Sequence, residues 1–156
     1  MTIEAQDEQQ AATKDRLVAS RISQDVGFLL AKLHVGGSAV NNRALAEFDL
    51  KERSYSVLML ADSGLEPTQR ELADFLSLDP SQIVSLVDEL EKRKLVVRAP
   101  GKQDRRAKTV TATVQGSQLL AQASVAAGRA EARVLASLDD RELEQLRALL
   151  GKALWG

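Results

Sequence analysis

The chain has 156 residues, a net charge of −1 and a hydrophobic content of 44%, enough for one domain or two small lobes sharing a core. With no cysteine and one histidine it has no means of forming a disulfide, a thiol sensor or a cysteine-ligated metal site, and neither a metal nor any other cofactor is expected. No apolar run is long enough to span a bilayer, and the acidic start (Glu4, Asp7, Glu8) lacks an apolar signal core, so no membrane partner and a cytoplasmic setting are expected.

Residues 1–13 are polar and are expected to form a flexible tail. A helical region follows over 14–50, with Leu29, Leu30, Leu33 and Val40 expected on a buried face and Gly36-Gly37 expected to interrupt it. A short helix is predicted from Glu52 to Asp62, ended by Ser63-Gly64.

Thr68 and Glu71 then form a T-x-x-E capping box in front of Leu72, Ala73 and Leu76. Ser77-Leu78 makes a turn. Asp79 caps a second helix with Pro80 at its first position, where a missing N–H costs nothing. Ile83, Leu86, Val87 and Leu90 follow the i, i+3, i+4, i+7 spacing of a buried face. Ser81, Ser85, Asp88 and Lys92 point the other way, flanked by Gln82 and Glu89. Short polar side chains let a helix lie deep in a DNA major groove and meet base edges.

Leu95 to Arg98 is strand-like, and Lys108 to Val114 alternates Thr109, Thr111 and Thr113 against Val110, Ala112 and Val114. Lys92 to Lys108 holds eight basic residues and one acid, Asp104, a net +7 that leaves −8 for the rest of the chain. Such a stripe is an electrostatic footprint for phosphate. Residues 51–114 thus read as a winged helix-turn-helix lobe. Asp88, outward and acidic beside a groove, is expected to pair with a wing arginine and orient it.

After the wing, Thr113 is placed to cap a helix to about Leu135, rich in alanine. A last helix opens with the Asp139–Glu142 box and carries Leu143, Leu146, Leu149, Leu150, Ala153 and Leu154 up to Trp155. That stripe needs a partner surface. Residues 14–50 and 115–156 are read as a dimerisation region. The fold class expected is mainly α with a small β-hairpin wing. No G-x-S-x-G, Gly-rich phosphate loop or His-assisted serine appears, so an enzyme is not expected.

Glu71-Leu72-Ala73, Leu86-Val87-Asp88-x-Leu90-Glu91, Leu95-Val96 and the D-x-R-[AS] wing signature Asp104-Arg105-Arg106-Ala107 resemble the MarR family of bacterial transcriptional regulators. The resemblance is specific from about Ser54 to Gly116. It implies a homodimer on a palindromic operator, usually a repressor released by a small molecule. By similarity, Arg106 is the wing arginine of the minor groove, and Asp104 orients it. The expected contacts to double-stranded DNA are Thr68, Gln69, Ser81, Gln82, Ser85, Lys92, Lys102, Arg105 and Arg106. The family's effector pocket lies between the DNA-binding lobe and the dimerisation helices, which makes Phe28, His34 and Tyr55 candidates for it, although such residues are more often core. Members often carry Arg at the positions of Ser85 and Glu89 and Gly at that of Lys94. These departures keep a second reading open: a ligand-sensing or protein-interaction module of winged-helix shape without operator binding.

Overall fold

The computed structural model describes residues 16–101 and 108–156. A 3-10 turn, Arg21–Gln24, precedes α1 (Val26–Leu45). Then come α2 (Glu52–Ala61), α3 (Gln69–Leu76), α4 (Pro80–Lys92), the antiparallel strands β1 (Val96–Pro100) and β2 (Lys108–Ala112), α5 (Val114–Val134) and α6 (Asp140–Trp155). The wing tip, with Lys102, Asp104, Arg105 and Arg106, lies outside the described residues.

Residues up to Ser38 form one unit and Ala39–Gly156 another. In the first, α1 runs unbroken through Gly36-Gly37, contrary to the expected interruption. Among the described residues, a side chain added at Gly36 would meet nothing within 4 Å. The expected burial of the α1 face also fails within the single chain. Leu29, Leu30 and Leu33 are 47%, 46% and 40% exposed, while Val40 is half-buried.

The second unit has one continuous core. Val57 and Leu58 of α2, Leu72 of α3, Ile83, Val87 and Leu90 of α4, Val96 and Val110 of the hairpin and Ala123 of α5 are buried together. Leu86 sits at the edge of that core, half-buried. Tyr55 fixes α2 to α5, with its hydroxyl 3.1 Å from Ser124 Oγ, and Ser117 donates to Asp62 across the same pair of helices. The last helix leaves Leu149, Leu154 and Trp155 exposed. Trp155 nonetheless stacks on Phe75 of α3, with ring centroids 5.3 Å apart and planes at 5°.

The helix boundaries follow their caps. Thr68 Oγ1 accepts from Glu71 N–H at 3.2 Å, while Glu71 accepts from Thr68 N–H at 2.7 Å. Asp79 accepts from Ser81 N–H at 2.8 Å, and Asp139 from Glu142 N–H at 2.8 Å. The second wing strand is shorter than its alternation suggests. Thr113 leaves the strand to cap α5, accepting from Gly116 N–H at 3.0 Å, and Val114 is already helical. Thr109 and Val110 are both buried, which breaks the period of two. The cause is a third segment: Thr68 bridges to Thr109, and Val110 N–H donates to Pro67 O at 2.8 Å.

Helix α4 ends on a left-handed residue, Lys94, with φ of 60°. Lys94 N–H donates to Glu91 O and Leu95 N–H to Leu90 O, both at 2.9 Å, the two bonds of a Schellman motif. A side chain in this conformation costs on the order of 1 kcal/mol relative to glycine. Lys94→Gly is therefore expected to raise the melting temperature while removing one positive charge from the lobe. A lower melting temperature would show that the lysine side chain holds the turn by other means.

Candidate DNA-binding surface

The surface begins with the solvent face of α4. Ser81, Gln82, Ser85, Asp88, Glu89 and Lys92 are all exposed along it, opposite the buried Ile83, Val87 and Leu90. Several of these polar groups are held in place. Ser81 Oγ donates to Asp79 at 2.5 Å, Gln82 Oε1 accepts from Asp79 N–H at 3.3 Å, and Ser85 Oγ donates to Ser81 O at 3.0 Å. These bonds leave acceptor lone pairs on the hydroxyls and the amide N–H₂ of Gln82 turned outward. Val84 shares this face and is 41% exposed. It falls outside the core spacing, a signal that was present in the sequence. An apolar group here suits a thymine methyl.

The wing joins this face through Arg98. Its side chain is only 17% exposed, and it donates to Asp88 at 2.5 Å, to Gln69 Oε1 at 2.6 Å, and to Glu91. Its own backbone N–H also donates to Glu91, at 3.0 Å. One guanidinium thus ties α3, α4 and β1 together. Burial works against its charge, but the hydrogen bonds and charges of Asp88 and Glu91 outweigh that and hold its pKa above the usual value. Asp88 pairs with this strand arginine, within the described part of the wing.

The positive stripe is smaller than its composition. Arg98 is neutralised inside the lobe, and Arg93 donates to Phe48 O at 2.9 Å and Asp49 O at 2.5 Å, with the Asp49 carboxylate 3.9 Å away. Lys92, Lys94 and Lys108 remain exposed. Thr68 and Gln69 stand at the start of α3, half-buried. The Thr68 hydroxyl also donates to Glu71 at 2.8 Å, so it has only lone pairs to offer a ligand, and Gln69, whose Oε1 accepts from Arg98, keeps its amide N–H₂ as donor. The N–H and then the hydroxyl of Thr68 lower the Glu71 pKa. The hydroxyl and then the N–H of Ser81 do the same for Asp79. Both caps are therefore fully charged at neutral pH, where carboxylates favour a helix start.

Of the candidate effector residues, Phe28 and His34 are exposed on α1 in the first unit, and Tyr55 belongs to the second, with its hydroxyl on Ser124. Among the described residues no group of His, Cys, Asp or Glu is placed to hold a metal ion, and no helix is long and apolar enough to cross a membrane.

Comparison with known proteins fits this geometry. The family model described as MarR family matches residues 48–107. The chain is 32% identical over 108 residues to the uncharacterized HTH-type transcriptional regulator YhbI of Bacillus subtilis (strain 168), covering 69% of this chain and 70% of that one. A solved MarR-family transcriptional regulator from Rhodococcus sp. RHA1 is 39% identical with a TM-score of 0.82, covering 88% of this chain and 97% of the other. The chain belongs to the MarR family. CouR from Rhodococcus jostii RHA1, solved bound to p-coumaroyl-CoA, is 40% identical with a TM-score of 0.79 over 88% of this chain and 96% of its own.

This MarR-family protein is a transcriptional regulator with a DNA-binding winged helix, not an enzyme. Ser85, where members often carry Arg, has its hydroxyl turned back onto its own helix. Glu89, the other such position, lines a cleft of about 480 Å³ with Leu86, Asp49, Lys51 and Ser54. A carboxylate there adds negative charge to the rim of the α4 face.

Proposed function

We propose that this regulator is a homodimeric, cytoplasmic repressor that binds a palindromic operator and is released by a small-molecule effector. The observation that carries the reading is the fixed juxtaposition of the exposed α4 face with the wing through Arg98. On this reading α4 enters the major groove with Ser81, Gln82, Val84 and Ser85, while Thr68, Gln69 and Lys92 meet the backbone. Lys102, Arg105 and Arg106 act from the wing, with Asp104 orienting Arg106. The exposed apolar residues of α1 and α6 support a subunit interface, since so many large side chains in water are costly. CouR holds p-coumaroyl-CoA, which supports an organic effector here, with Phe28, His34 and Tyr55 as its candidate contacts.

The test is to footprint the protein on its own upstream region and to titrate that duplex and a scrambled one at several salt concentrations. A protected palindrome with half-sites roughly 34 Å apart and a steep negative log–log slope is expected. Equal affinity for both duplexes would overturn operator recognition and favour the interaction-module reading.

A further inference from the structure

A cleft of about 390 Å³ opens between the C-terminal halves of α1 and α5, wholly within the second unit. Its apolar lining is small: Val40 and Ala44 from α1, Ala126 and Ala130 from α5. Around it stand Arg43, Arg129 and Arg133, with Glu47 as the one acid of the lining. Among the described residues none of the three arginines has a carboxylate partner, Glu47 included; Arg16, Arg21, Arg53 and Arg141 also lack one, so what distinguishes these three is that they line one cleft.

This arrangement runs against local electrostatics. Arg129 and Arg133 are four apart on one helix face, where like charges repel. Arg43 and Arg133 lie in the last turns of their helices, where cations offset the free carbonyls. That accounts for two charges, not for Arg129 a turn earlier, nor for the gathering of all three at one hollow. The alanines keep the space between them open. Three guanidinium forks supply many more donors than one carboxylate can accept, but they match the oxygens of a diphosphate.

We propose that this cleft binds a small molecule carrying a diphosphate, held by Arg43, Arg129 and Arg133. The site contains no residue of α3, α4 or the wing, so it is not part of the DNA surface, and it includes none of Phe28, His34 and Tyr55. If the ligand-responsive reading above holds, occupancy here would act through α5, whose N-cap residue Thr113 donates its hydroxyl to Lys94 O just before the first wing strand.

The test is made on the full chain without DNA. Inorganic pyrophosphate and, at matched ionic strength, acetate are titrated by calorimetry into the wild type and into Arg129→Gln/Arg133→Gln. Both positions are exposed, so the variant is expected to keep the wild-type circular dichroism and light scattering. Pyrophosphate is expected to bind once per chain, with acetate silent. Each lost arginine should weaken binding about tenfold, as expected for charge-assisted hydrogen bonds. Equal responses to the two anions, or unchanged pyrophosphate affinity in the variant, would overturn the site. So would a change of oligomeric state in the variant, which would assign the arginines to acids of a second copy. Operator affinity measured separately on the same variant tells failure of this site from failure of the DNA-binding reading.

Discussion

Arg98→Ala is expected to lower operator affinity by about a hundredfold and stability by about 2 kcal/mol. The substitution strands two carboxylates, Asp88 and Glu91, that share one guanidinium. Removing one partner of a buried pair costs about 3–5 kcal/mol, but these carboxylates are partly exposed and water screens them, which brings the stability term down. The DNA term is larger because the effects act in one direction. The wing loses its tie to α4, and the released acids face the phosphates they were shielded from. Arg98→Lys restores charge but not geometry, since an ammonium cannot span Gln69, Asp88 and Glu91 as the planar fork does. Urea melts and fluorescence anisotropy on labelled operator measure the two quantities. Full recovery of both by lysine would mean that the fork geometry is irrelevant.

Gly116→Ala should cost about 3 kcal/mol, near the upper end for overpacking. A Cβ at this position would lie 2.0 Å from the Leu95 carbonyl oxygen and 2.9 Å from its carbon. That carbonyl has little freedom to retreat. It accepts from Thr113 N–H at 2.9 Å, and Leu95 N–H is bound to Leu90 at the end of α4. The Thr113 hydroxyl donates to Lys94 O at 2.7 Å in the same knot. Gly128→Ala in the same helix is the matched control. Nothing lies within 4 Å there, so alanine should gain up to about 1 kcal/mol from helix propensity. Thermal melts of the two variants should move in opposite directions. A shared stabilisation would show that the α5–Leu95 approach can relax.

The contrast between these sites marks what the sequence carries. Caps are written in residues three apart, so Thr68–Glu71 and Asp139–Glu142 could be read directly, as could the start of α4 at Asp79-Pro80. The left-handed Lys94 was legible only through the family resemblance. Arg98 looked like one more positive charge in a basic stripe. Its role depends on Gln69, Asp88 and Glu91, which reach it through the fold from 29, 10 and 7 residues away. Periodicity likewise placed Thr109 on the solvent side, whereas the bridge to Thr68 buries it. The apolar face of α1 was legible as apolar, but what covers Leu29, Leu30 and Leu33 is not written in this chain's own core. Gly116 gave no local signal, because the carbonyl it makes room for is 21 residues back.

The Phe75–Trp155 stack makes this chain its own optical instrument. Trp155 is the single tryptophan of the sequence, so indole emission from the unlabelled protein comes from one place. That place is the end of α6 resting on the first helix of the helix-turn-helix. When α6 stays seated, the indole is shielded on one face by the Phe75 ring. Because Trp155 is already 68% exposed, loss of that stack would be read as a change in emission intensity and quencher access rather than as a large shift in colour. Recording that intensity during a DNA or ligand titration reads the attachment of the last helix to the DNA-binding lobe, with no dye and no added mutation.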